Sequence, residues 1–394
     1  MDQIIQQFLA SFEWSMHSGS VHPQCQMIDQ LAAEGKTDIL YELGVALDAH
    51  AERLQVGGVE SVYNHLERVL ALTPGMIYAH TLMKLSLLPR TRTMRFPWSL
   101  DQRSRGLAPL LASAQSTSVL LDLIEAHRQN QAYTEFICIL VQEMVLRGIR
   151  CDEIPLIVDF FDQMRRVDHP LAWLPLRLLE IENGLPLSSY TVAVTYFASA
   201  HIEGPDSAEE EAPSYPGEGL RVALVESTTD FERDRILAVV DPWSNARLEA
   251  RTFTFDHSIA SWHVSGSLLL SMNLACLKGV NILDIFLGPR SRQNAFRLLF
   301  AAASSGGAYE NGHEGAYGRL ATWCTLAGLV GAPEHISVEE VASLIEQSRW
   351  FSFSANSDWF YWAAPMWDLG MLTLRPDGRS LAVLAATSTS QGGA

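Results

Sequence analysis

Near residue 200 the spacing of apolar residues changes from three and four to two, and an acidic stretch rich in proline and glycine marks the change. A helix buries a stripe with a period near 3.6 and a half-buried strand alternates, so a chain that switches period must build two kinds of layer. The stretch from His201 to Gly219 carries Glu203, Asp206, Glu209, Glu210, Glu211 and Glu218 without an opposing base, together with three prolines and three glycines. Such a segment buries too little apolar surface to offset its ordering entropy. The sequence therefore predicts an α+β chain: a helical array over 1–202, a linker or loop over 203–219, and an α+β domain over 220–394. A long acidic loop within a single domain is the alternative.

In the first part, Asp2 to Phe12, Met27 to Glu34, Ile39 to Arg53, Val59 to Leu72 and Met76 to Leu87 show helical spacing. Val119 to Arg128, Tyr133 to Arg147, Ile154 to Arg166 and Leu171 to Glu182 follow, with Pro155 and Pro170 near helix starts, where the missing N–H is tolerated. Stacked antiparallel helices, as an irregular solenoid or bundle, are the economical architecture. No consensus recurs at a fixed period. Arg90 to Arg105 holds five arginines against Asp101, with Phe96 and Trp98 between them. It reads as a solvated loop between helices, or as a dock for an acidic partner.

In the second part, Leu220 to Glu226, Ile236 to Asp241 and Arg247 to Phe255 have strand length and patterning, which predicts a meander. Helical spacing returns at Ser261 to Leu277, Asn294 to Ala303, Gly318 to Val330 and Ser337 to Ser348, the last opened by a Ser337/Glu340 capping box. The chain closes on a hairpin, Leu369 to Leu374 and Ser380 to Thr387 around Arg375-Pro376-Asp377-Gly378, and its strands are expected to join the sheet.

Charge and cysteine content narrow the functional classes. A formal charge of −17 repels nucleic-acid phosphates and anionic membranes, so no nucleic-acid or membrane partner is expected. The N-terminus has no basic region ahead of an apolar run, no stretch reaches spanning length, and the expected location is the cytoplasm. Five scattered cysteines, Cys25, Cys138, Cys151, Cys276 and Cys324, form no Cys-x-x-Cys pair and read as reduced thiols. His257 and His263 with Asp256, and His313 beside Glu314, lack ligand spacing, so no metal and no cofactor is expected.

One stretch carries a candidate site. Between Leu299 and Gly331 two Gly-Ala-Tyr triplets lie eight residues apart. Ser304-Ser305-Gly306-Gly307 ends one helix, and Gly318 precedes a series of helix formers, so free N–H groups are expected at that helix start, with Arg319 in its first turn. Such a start accepts anions. The candidate ligand-binding residues are Gly306, Gly307, Tyr309, Gly315, Tyr317, Gly318 and Arg319, with Asp368 converging on them. The competing reading is that the glycines let two helices cross closely while Tyr309 and Tyr317 pack their rings. Asp368 alone also reads as a strand-end cap. The spacing matches neither a dinucleotide fingerprint nor a P-loop. The aromatic group Trp350, Phe351, Phe353, Trp359, Phe360, Tyr361, Trp362 and Trp367 reads as sheet core or as a pocket lining.

The run LLFAAASSGGAYENGHEGAYGRLATWCTLAGLVGA, followed by WFYWAAPMWDLGMLTLRPDGRSLAVLAATSTS, resembles an uncharacterised bacterial family, common in actinomycetes, known as a domain of unknown function. The likeness covers mainly Asp234 to Thr389. The resemblance implies an acidic Thr-Asp ending where this chain has Thr387-Ser388-Thr389, and it brings no activity, cofactor or catalytic residue. Without a catalytic signature, the expected function is non-enzymatic binding of a protein partner of unknown identity by the helical region, in an undetermined oligomeric state. The alternative is an enzyme or small-ligand binder taking an anionic group at residues 304–319.

Overall fold

The computed structural model describes residues 2–18, 20–54, 57–88, 100–196, 223–308, 312–360 and 367–388. The acidic stretch 203–219 lies outside them, as do Tyr309, Tyr361, Trp362 and residues 90–99. The chain divides into two compact units, one of Met1–Val167 with Ser188–Tyr196, the other of Asp168–Leu187 with Phe197–Ala394. Residues 168–187, grouped with the helical half by periodicity, thus belong to the second unit.

The first unit is built from α1 (Asp2–Ser18), α2 (His22–Ala33), α3 (Thr37–Leu54), α4 (Gly57–Leu72), α5 (Met76–Ser86), α6 (Leu100–Ala114), α7 (Thr117–His127), α8 (Thr134–Leu146) and α9 (Pro155–Arg166). Up to α8, each helix packs on the next but one: α1 on α3, α3 on α5 and α5 on α7 in one layer, α2 on α4, α4 on α6 and α6 on α8 in the other. The first unit is thus a stack of helices in two layers. Helix α8 is predominantly apolar and is buried from Phe136 to Leu146, Gln142 and Glu143 included.

Two expectations in this region are corrected. The basic run does not stay a loop to Arg105, because α6 begins at Leu100 and Arg103 is buried, its Nη2 donating to Ser86 C=O at 2.7 Å. Leu171 to Glu182 is not a helix but two 3-10 turns, Pro170–Trp173 and Glu180–Glu182. Pro175 pushes Leu174 into extended backbone at ψ 142° and interrupts the helical run.

The strands β1 (Ser189–Tyr190) and β2 (Thr195–Tyr196) form a small hairpin in the first unit, and Arg68 of α4 clasps its turn. The guanidinium donates to the carbonyls of Thr191, Val192 and Val194 and to Thr195 Oγ1. In the layer of α5 and α7, His80 of α5 and His127 of α7 lie with ring nitrogens 3.3 Å apart, and the Tyr133 ring packs on His127 at a tilt of 59° while its hydroxyl donates to Met83 C=O.

The second unit holds a six-stranded antiparallel sheet in the order β3-β4-β8-β7-β6-β5. Its elements in chain order are β3 (Leu224–Glu226), α10 (Asp230–Leu237), β4 (Ala246–Phe255), α11 (Gly266–Ser271), β5 (Ile285–Arg290), α12 (Arg292–Ser305), α13 (Glu314–Leu329), α14 (Val338–Gln347), β6 (Arg349–Ala355), β7 (Asp368–Leu374) and β8 (Ser380–Ser388). The hairpin β7–β8 forms as expected, and β8 pairs with β4 along nine residues, so the last strand completes the sheet centre. Phe253, Phe255, Phe351, Phe353, Leu372, Leu381 and Val383 line one face, packed against residues 259–277. The other face carries α13, which contacts β8, and α10, which contacts β4.

The predicted strand Ile236 to Asp241 is instead the last two residues of α10 followed by turns. A Thr229/Glu232 capping box starts that helix, Glu232 N–H donating to Thr229 Oγ1 at 3.2 Å. The single helix expected over Ser261 to Leu277 is broken into two 3-10 turns and α11, which stops where Asn273 adopts φ 51°.

Two outcomes are expected for the first unit. Arg68→Ala should lower stability by roughly 1–2 kcal/mol and speed amide exchange in residues 189–196; exchange unchanged there would mean that the clasp does not hold the hairpin. The second concerns pH. Burial is the main cause that lowers both histidine pKa values, with Lys84 adding to the shift at His80, Asp122 opposing it there, and the His80 charge acting on His127. The unfolded rings take up protons from about pH 6.5 downward, before the folded ones. Stability should hold above that pH and decline as it falls through the lowered folded values. His127→Gln should flatten that decline in denaturation measured from pH 7 to 5.

Candidate functional site

The glycine-rich segment joins α12 to α13, and each of its ends is determined by a close approach. Helix α12, capped at its start by Ser291, stops at Gly306, whose φ of 81° is left-handed. The chain then turns back so closely that a Cβ on Gly312 would lie 2.3 Å from Ser304 C=O, and His313 N–H donates to Ala303 C=O at 2.8 Å. On α13 a Cβ at Gly318 would sit 3.1 Å from Ser304 Cα. These glycines therefore let α12 and α13 cross at short range.

The helix start lies one turn earlier than expected. Helix α13 begins at Glu314, so Gly315 is in its first turn, while Gly318 and Arg319 fall in the second, where backbone N–H groups enter the helical ladder. Arg319 is not presented to a ligand from a first turn. Its side chain is fully buried and bound to the fully buried Glu182, with Nε to Oε1 at 2.6 Å and Nη2 to Oε2 at 2.8 Å. Nη1 donates to Pro175 C=O and Nη2 to Arg177 C=O, both at 2.9 Å. Glu182 also accepts from Trp323 Nε1 at 2.9 Å and Leu179 N–H at 2.8 Å. The cluster closes a charge-assisted network on the irregular segment 168–187.

The other candidates do not converge on Arg319. Gly307 is buried and Tyr317 half-buried, while Tyr309 lies outside the described residues. Asp368 pairs with Thr387 across β7–β8 and accepts from its Oγ1 at 2.7 Å. Ala308 N–H, in the glycine-rich turn, donates to Ser388 Oγ at 3.0 Å. Alternate side chains of a strand point to opposite faces. Thr387 shares the face of Leu381 and Val383 in the core packed on residues 259–277, and Asp368 shares it through Gly370, whose added Cβ would meet Phe360. Ser388 lies on the opposite face. Asp368 and the glycine-rich turn thus meet the same end of the sheet from its two sides, and the expected convergence does not occur.

The remaining candidates are placed as follows. Trp350, Phe351, Phe353, Trp359 and Phe360 are buried, and Trp367 is 38% exposed, which makes most of the aromatic group sheet core. None of the five cysteines is in a disulfide, and burial pushes the thiols of Cys138 and Cys276 far up, away from reactive thiolate. Among the described residues no three His, Cys, Asp or Glu side chains form a group suited to a metal ion. A shallow cleft of about 200 Å³ lies between Leu179, Ile181, Arg292 and the α14 side chains Glu339, Ala342 and Glu346; it includes none of the predicted residues.

The model of a family of unknown function, DUF6183, matches residues 22–390. The chain belongs to this family. In this DUF6183 member the match spans both units, where the resemblance read from the sequence covered mainly the C-terminal half. No curated protein and no solved structure matches the chain.

Sequence reasoning missed Glu182. Its partner Arg319 stands 137 residues later, and nothing in LLEIENG, where Glu180 and Glu182 are two residues apart, marks one of them as half of an ion pair. Breaking a buried pair strands a charge, so Glu182→Ala and Arg319→Ala should each cost about 3–5 kcal/mol. Glu182→Ala combined with Arg319→Ala should fall short of the summed single effects by roughly 2 kcal/mol. Strict additivity in denaturant unfolding would show that the two side chains do not act as a pair.

Proposed function

We propose that this chain binds a protein partner without catalysing a reaction, and that the contact surface is the outward side of α3, α5 and α7 in the first unit. What carries this reading is the sorting of helices into two layers. In such a stack successive helices of one layer present side chains side by side, an extended surface that suits another protein. Ile77 is 57% exposed on α5, and Lys84, Asp122 and Glu125 are exposed on α5 and α7, an apolar contact among charges. In the other layer α8 is buried along most of its length.

The charge of −17 supports a protein partner over nucleic acid or an anionic membrane. A cytoplasmic location belongs to the same reading; among the described residues no helix is long and apolar enough to cross a membrane. The rival, an anionic ligand at 304–319, is weakened because Arg319 is neutralised by Glu182 and Asp368 lies on the far face of the sheet.

The test pairs two measurements. Affinity capture from the native cell extract with the wild type, Ile77→Asp and Asp122→Lys should retrieve a stoichiometric partner that both variants lose. A thermal-shift screen with nucleotides and sugar phosphates should leave Tm within about 2 °C. Capture unaffected by the variants, or a clear ligand shift, would overturn the reading.

A further inference from the structure

Among the described residues β5 is an outer strand of the sheet, and β6 pairs with it on one side only. The register runs from Ile285 opposite Ala355 to Arg290 opposite Trp350, and Asn356 N–H donates to Asp284 C=O at 3.0 Å. Backbone groups alternate sides along a strand, so residues 284, 286, 288 and 290 face β6 and residues 285, 287 and 289 face outward. Pro289 has no N–H, in keeping with its place on an edge. The Ile285 N–H is turned back to Ile282 C=O. The outward edge of β5 therefore offers one strand donor, Leu287 N–H.

A second copy of β5, laid antiparallel about a two-fold axis at Leu287, uses that donor twice. Each Leu287 N–H meets the Leu287 C=O of the other copy. The two residues without an outward N–H, Ile285 and Pro289, then lie opposite each other.

The side chains of this register are complementary as well. Asp284 falls opposite Arg290 of the other copy and Phe286 opposite Gly288, at non-hydrogen-bonded positions where cross-strand side chains come closest. A Cβ at Gly288 would meet nothing within 4 Å, so the space over it can take a ring, and Phe286 is 50% exposed. Aromatic cover of an edge glycine is a known device of strand pairing. Arg290 Nε donates to Ser352 Oγ at 2.7 Å, which anchors its guanidinium on β6. Leu283, 90% exposed, extends the apolar contact at each end, and Trp262, 67% exposed, precedes α11, whose first residue Gly266 abuts Ile282.

The geometry points to a symmetric dimer of this chain, made by pairing β5 with β5 in the register centred on Leu287. A two-fold axis makes each pair occur twice, so one complementary charge pair becomes two. This dimer is independent of the surface on α3, α5 and α7.

The full chain, at 43.7 kDa, should sediment as a concentration-dependent dimer. In the same samples amide exchange at 285–290 should slow as concentration rises. Asp284→Arg and Arg290→Asp each place like charges opposite each other twice and should weaken the dimer about tenfold. The double variant should return to within about threefold of wild type. A wild-type chain that stays monomeric at about 100 µM overturns the proposal. So does a dimer whose 285–290 amides exchange at the monomer rate, a result that needs no variant to fold.

Discussion

Glu182 is a carboxylate removed completely from water, and the segment around it holds its place because of what surrounds that charge. Residues 168–187 contain two 3-10 turns and little other regular structure, so their backbone groups lack a ladder of their own. The guanidinium of Arg319 answers this need from α13, taking the carbonyls of Pro175 and Arg177 together with both oxygens of Glu182. An isolated buried charge would be very unfavourable, whereas this one accepts four hydrogen bonds, two from the guanidinium, one from Trp323 and one from Leu179 N–H. The same arginine cannot also serve an external anion from that position. Chemistry that a sequence reader assigns to a ligand is used here to join an irregular segment to a helix.

Strand β8 sets the second constraint. It lies between β4 and β7, and both of its faces are buried from Leu381 to Ala386. Every side chain near its end must therefore choose a layer, and consecutive residues choose opposite ones. Thr387 goes with Asp368 and Ser388 with the glycine-rich turn. Two polar contacts one residue apart in the chain are thus separated by the thickness of the sheet, and no single ligand group touches both Asp368 and Ala308 N–H without crossing it.

What was legible in the sequence is what is stored locally. The Pro-Asp-Gly turn specifies the β7–β8 hairpin, the Ser337/Glu340 box specifies the start of α14, and amphipathic spacing locates most of the helices in the first unit. What was not legible depends on distant partners. β5 contains Gly288-Pro289, a breaker signal in isolation, and becomes a strand because it occupies an edge where a missing N–H is harmless. β6 reads locally only as an aromatic cluster, since Trp350 and Ala355 find their partners far back in the chain at Arg290 and Ile285. α13 starts a turn earlier than Gly318, the boundary that its sequence suggests. That glycine is a packing residue against Ser304 inside the helix.

The acidic character of the chain bears differently on the two surfaces. A net charge of −17 sets copies of the chain against one another at long range, but in physiological salt that field fades over about 8 Å. Cross-strand neighbours sit well within this distance, so once two edges meet, the local sequence decides, and Asp284-Phe286-Gly288-Arg290 reads as complementary only to itself reversed. Shifting the register by two residues removes both charge pairs, and shifting it by one turns Leu287 N–H away from its acceptor. The scarcity of outward donors on β5 therefore works as a filter: an edge with Pro289 and one strand donor gives little to an arbitrary strand and its best match to its own copy.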